Sequence, residues 1–136
     1  MKPVELTLSV EINASQQEVF NKVVDWESQG EWMLGTKVKG TKNNGQGLGG
    51  EINAWTGFWK IGFNDPMVIT QWVEPKVVDV THLGKIVKGT GSMIVEKIDE
   101  KKSRAEMSFF DNEFVAAKSL LKQIVISFVF SFSQLN

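Results

Sequence analysis

His82 is the only imidazole in the 136 residues, and imidazole is the side chain best suited to moving a proton near neutral pH. It ends the alternating run Val78, Val80, His82, which places it on one strand face among aliphatic neighbours. There it reads either as a general base or as a hydrogen-bonded histidine at a strand end. Spacing identifies no partner acid, which favours the second reading. Asp65, Glu74, Asp79 and Glu96 each lie in or beside an alternating segment whose polar face is ordinarily solvated, so none is assigned a catalytic role. One histidine and no cysteine rule out all-histidine and Cys-His metal sites, and no metal is expected. Ser92, Ser108 and Ser127 lack the G-x-S-x-G elbow that would activate a serine nucleophile.

Gly45, Gly47 and Gly50 satisfy G-x-G-x-x-G, the dinucleotide fingerprint. That motif needs a strand before it and a helix after it, whose N-terminus receives the pyrophosphate. Here Asn43-Asn44-Gly45-Gln46-Gly47-Leu48-Gly49-Gly50 runs instead into the strand-like Glu51-Ile52-Asn53-Ala54-Trp55-Thr56. A hairpin loop that tolerates positive φ is the better reading, and no nucleotide or other cofactor is called for.

Composition narrows the partners. Fifteen basic residues face sixteen acidic ones, interspersed, for a net charge of −1, which gives nucleic acid no electrostatic footing. Nine Phe and five Trp stand beside no Tyr, an aromatic set suited to apolar packing. Absence of cysteine allows a reducing compartment, and Met1-Lys2-Pro3-Val4-Glu5 lacks the apolar run of a signal peptide, so the cytoplasm is the expected location. Lys122 and Gln123 interrupt the one long apolar stretch, so no integral membrane association is expected.

The elements that must position these groups follow from periodicity. Val4, Leu6, Leu8, Val10 and Ile12 alternate with polar residues as a half-buried strand. Ser15 and Glu18 have capping-box spacing ahead of Phe20, Val23 and Val24, which predicts a short helix. Asp25 to Leu34 fits a second one, and Gly35 and Gly40 bracket a brief polar strand. Further strands are predicted over 67–73, 77–82, 88–98 and 104–110, joined by short turns. In the first of these, Trp72 shares a face with Val68 and Thr70 if it points inward; the competing face is Met67, Ile69, Gln71 and Val73. The other tryptophans read as packing anchors. From Phe114 to Leu135 helical and strand periods both fit, and length without Gly or Pro favours a helix capped by Asp111 or Asn112. No repeat or linker divides the chain, so one domain, 1–136, is expected.

This order, with Val10-Glu11-Ile12-Asn13-Ala14-Ser15, Glu31-Trp32-Met33-Leu34-Gly35-Thr36, Gly49-Gly50-Glu51-Ile52, Gln71-Trp72-Val73-Glu74-Pro75 and His82-Leu83-Gly84-Lys85, resembles the SRPBCC superfamily. That superfamily comprises birch-pollen-type allergens, START lipid-transfer domains and polyketide cyclases. The resemblance implies an α+β helix-grip fold: a curved antiparallel sheet of about seven strands around a long C-terminal helix, with two short helices after the first strand. It further implies a cavity between sheet and helix that binds a hydrophobic small molecule such as a lipid, quinone or polyketide. Along that cavity we expect Ile52, Ala54, Trp72, Val78, Val80, His82, Met93, Val95, Met107 and Phe109 from strands, and Ala117, Leu121, Ile124 and Phe128 from the helix. Met93 and Met107 suit a pocket that adjusts to its occupant. A polyketide cyclase or dehydratase using His82 is the enzymatic alternative, and a protein-interaction module with a vestigial cavity is a third; a binding role without catalysis is favoured. Ligand identity and oligomeric state are not legible in the sequence.

Overall fold

A computed structural model describes residues 4–29, 35–58, 60–85 and 88–111. The predicted helix from Phe114 to Leu135, with Ala117, Leu121, Ile124 and Phe128, lies outside the described residues, as do Trp32, Trp59 and both candidate caps' following segment.

The alternating N-terminal run forms β1 (Val4–Ile12), followed by α1 (Gln16–Val23) and α2 (Trp26–Gln29). Then come β2 (Thr36–Lys42), a left-handed turn over Asn43–Gly45, β3 (Glu51–Phe58), β4 (Ile61–Val73), β5 (Val77–His82), β6 (Thr90–Asp99) and β7 (Lys102–Asp111). The seven strands make one antiparallel sheet in the order β1-β7-β6-β5-β4-β3-β2. Strands β2 to β7 are a simple meander, while β1 adds beyond β7. The two short helices therefore carry the chain from one sheet edge to the other. Irregularities at Gly40/Lys42, Ile69/Gln71 and Lys97/Asp99 break the register; such bulges bend strands and raise their twist, which curls the sheet.

Ser15 caps α1: its hydroxyl accepts the Glu18 N–H at 3.2 Å and donates to the Glu18 carboxylate at 3.0 Å. The carboxylate is thus held by the hydroxyl, a variation on the expected reciprocal box. Val19, Phe20 and Val23 are buried to 1% exposure or less, each contributing about 1.5–3 kcal/mol by leaving water. Two polar ties fix where α1 sits. Gln16 Nε2 donates to the Val95 carbonyl at 2.9 Å, and the wholly buried Ser103 hydroxyl donates to the Ala14 carbonyl at 2.8 Å. No helix among the described residues is long and apolar enough to cross a membrane.

Cross-strand register puts apolar side chains in rows on the face that α1 covers. Met107, Met93, Val78 and Trp72 align across β7, β6, β5 and β4, and Phe109, Gly91, Val80 and Ile69 form the next row. The opposite face is polar: Ser108, Ser92, Asp79 and Gln71 align there, and Arg104 bridges Glu11 at 3.2 Å and Glu96 at 3.6 Å.

Candidate functional site

Ten strand residues expected along the cavity share the inner face. Ile52, Val78, Val80, Val95 and Met107 belong to the buried cluster, and Ala54, Trp72, Met93 and Phe109 pack against it partly buried. His82 is the tenth, and it is buried. The register sets His82 opposite Met67, which in turn faces Ile52.

The acid that spacing failed to reveal is Asp65. Its Oδ1 lies 2.7 Å from His82 Nδ1, with the two side chains 11% and 3% exposed. Asp65 sits on β4 opposite Ala54, two residues before Met67, the partner of His82 at the end of the β4–β5 ladder. Only Asp65 among the four weighed carboxylates occupies the inner face. Glu74 accepts from Gln17 Nε2 at 3.3 Å in solvent, and Glu96 pairs with Arg104. Asp79 points to the polar face, its Oδ1 buried without a hydrogen-bond partner among the described residues. An ionised carboxylate only accepts, so a neutral His82 facing it carries its proton on Nδ1, leaving Nε2 as the lone-pair nitrogen. That is the tautomer suited to receiving a proton or an O–H donor. Phe109 lies beside the imidazole, ring centroids 6.5 Å apart, and Gly91 between Val80 and Phe109 leaves their side chains the space a Cβ would take.

Two expectations are corrected here. The strand predicted from Met67 starts six residues earlier, at Ile61, so that Asp65 and Pro66 are strand residues. Pro66 is tolerated because its carbonyl accepts the Leu83 N–H just past the end of β5, so its missing N–H faces that end and not a ladder. Trp72 does not share a face with Val68 and Thr70. The irregularity between Ile69 and Gln71 inserts an extra residue, so Met67, Ile69 and Trp72 all face inward. The Trp72 ring meets Phe20 of α1 edge-on, centroids 5.4 Å apart at 86°.

The glycine segment proves architectural. Trp26, 6% exposed, donates its indole N–H to the Gly45 carbonyl at 2.6 Å. Gly45 has φ of 68°, and a Cβ there would lie 2.7 Å from the same indole. Gln46 Nε2 donates to the Val24 carbonyl at 3.0 Å, and Gly49 and Gly50 pair with Ile69. The loop thus locks the helices to β4 and leads into a strand, with no helix terminus for a phosphate. Beside it a surface cleft of about 480 Å³ is lined by Asn21, Asp25, Trp26, Glu27, Asn44 and Gln46 among others. None of the ten expected strand residues lines that cleft. No cluster of metal-ligating groups occurs among the described residues.

Solved structures share this architecture. The Zhui aromatase/cyclase from Streptomyces sp. R1128 superimposes with a TM-score of 0.77 at 12% identity, over 98% of this chain and 93% of that one. A START superfamily protein from Mycobacterium smegmatis gives 0.72 at 12% identity, over 97% and 99%. A norcoclaurine synthase point mutant from Thalictrum flavum, in complex with a transition-state analogue, gives 0.73 at 9% identity, over 98% and 94%. No family model and no curated protein matches the sequence. The chain has the START and polyketide-cyclase type of fold.

Proposed function

We propose that the protein binds a hydrophobic small molecule of lipid, quinone or polyketide type against the inner face of its sheet, with the His82–Asp65 pair as the polar contact. The observation that carries this reading is chemical contrast: one continuous apolar face across β3 to β7, with a buried imidazole–carboxylate pair at 2.7 Å set into it. Apolar walls with few oriented polar groups are the usual composition of a small-molecule site. With His82 neutral and its Nδ1 toward Asp65, the Nε2 lone pair would favour a ligand bearing a hydroxyl or phenol. The fold shared with START and aromatase/cyclase proteins supports the same class of ligand.

Native mass spectrometry of the purified protein is the test, followed by saturable binding of an environment-sensitive apolar dye and its displacement by fatty acids and flat phenols. A co-purified apolar molecule, or displacement favouring hydroxylated competitors, supports the reading. A folded sample that binds no apolar probe saturably overturns it and leaves the protein-interaction module. The His82–Asp65 geometry also favours a second reading, proton transfer on the bound molecule in a cyclase or dehydratase. Turnover of a polyketide-like substrate that His82→Ala abolishes, with dye affinity retained, would establish it.

A further inference from the structure

The β3–β4 hairpin ends in two large apolar side chains that stand largely in solvent: Phe58 is 88% exposed and Ile61 77%. They are cross-strand partners, so they stand side by side, and Trp59-Lys60 joins them in the sequence. The tip also projects. On one side the described chain reaches Gly57, whose N–H donates to the Gly35 carbonyl at 2.9 Å, and on the other the chain after β5 reaches Asn64, whose carbonyl lies 3.7 Å from where a Cβ on Gly84 would stand. Residues 61 to 63 therefore run beyond the described chain after β5 by roughly 10 Å at the usual strand rise. Leu83, 52% exposed, follows His82 at this same end of the sheet.

Charge accompanies this apolar tip. Lys85 lies two residues past Leu83, and Lys37 and Lys39 are exposed on β2 beside β3. At the β2–β5 side of this end the described acid is Asp65, which is engaged with His82; Glu5 and Asp111 belong to the far strands β1 and β7.

We propose that the β3–β4 tip is a lipid-surface anchor, in which Phe58 and Ile61 enter the interface of an anionic bilayer while the neighbouring lysines meet its headgroups. Apolar and aromatic side chains flanked by lysine are the composition that the membrane interface accepts, and basic residues near an anionic surface add attraction that salt screens. A second protein copy is the poorer occupant. A stable interface needs about 800 Å² from each partner, whereas a Phe offers roughly 150–250 Å². A bilayer makes no such demand for shape. Phe58 and Ile61 lie on the same side of the hairpin as Ala54 and Asp65, so an anchored tip would turn the His82 end of the inner face toward the membrane. The anchoring itself does not depend on a ligand within the sheet.

Flotation of the full chain with vesicles tests the inference, using phosphatidylcholine alone and equal parts of phosphatidylcholine and phosphatidylglycerol. The expected result is binding to the mixed vesicles that weakens with added salt and falls at least about tenfold in the double variant Phe58→Ser, Ile61→Ser. Leu48→Ser, which alters a 70% exposed apolar residue at the opposite end of the sheet, is expected to bind like the parent. Both variants should keep the parental melting temperature and dye affinity, which separates this result from failure of the ligand reading. Absence of vesicle binding by the parent, equal binding by the double variant, equal loss in Leu48→Ser, or self-association abolished by the double variant in the absence of a vesicle effect would each overturn it.

Discussion

Removing Asp65 tests the central site most directly, because its pairing was invisible to spacing and its cost can be worked from burial. At 2.7 Å, with side chains 3% and 11% exposed, neither partner has water to fall back on. Asp65→Ala leaves the His82 Nδ1–H without its acceptor, a penalty of about 1–3 kcal/mol for an unsatisfied buried group. His82→Ala is worse: it strands a buried carboxylate, for about 3–5 kcal/mol. Asp65→Asn keeps an oxygen within reach of the ring and should cost about 1 kcal/mol or less. Urea unfolding followed by far-UV circular dichroism measures all three, and unchanged m-values would license the comparison. The double variant closes a thermodynamic cycle, for which we expect a coupling of about 1.5–3 kcal/mol. Coupling near zero, or Asp65→Asn as damaging as Asp65→Ala, would refute the view that a directed hydrogen bond holds the pair.

Gly45→Ala should destabilise by about 1–2 kcal/mol from the left-handed backbone alone, and more because the new Cβ meets the Trp26 indole; thermal unfolding checks this, and the same loop should show no chemical-shift response to NAD, ATP or GTP. Glu11 is held below the usual carboxylate value of 4.5 by its hydrogen bonds to Arg104 and Lys102 and by their charge. Its depressed folded value means a stabilising contribution present at neutral pH and lost as pH falls below about 4.5. Glu11→Gln should therefore remove a small acid-labile, salt-sensitive component of stability, read by comparing melting temperatures of parent and variant through the acid limb.

Local pattern was enough to find most elements, because burial on one side of a strand or helix imposes its period on the sequence. Val4 to Ile12 alternates and is β1; Val77 to His82 was bounded correctly; Ser15 and Glu18 announced α1. The glycines at 45, 47 and 50 were correctly denied a helix after them. Which strand residues share a face was also legible: the ten expected along a cavity stand on one face of the sheet, together with Met67, Ile69 and Ala105. Asp65 left a signal that was passed over, an acid standing where Ile61, Phe63, Met67 and Ile69 alternate, hidden because Pro66 reads as a strand breaker. Only the ending of β5 one residue short makes that proline acceptable. The orientation of Trp72 had no such signal. Thr70 and Gln71 are unremarkable strand residues, and the extra residue between Ile69 and Trp72 exists because β5 pairs across it. A one-residue shift reverses every side chain beyond it. Spacing along a single strand therefore carries the period but not the phase, which the neighbouring strands impose through their hydrogen bonds. That phase is what sends Trp72 toward Phe20, just as pairing between β4 and β5 is what brings a carboxylate seventeen positions away to the imidazole.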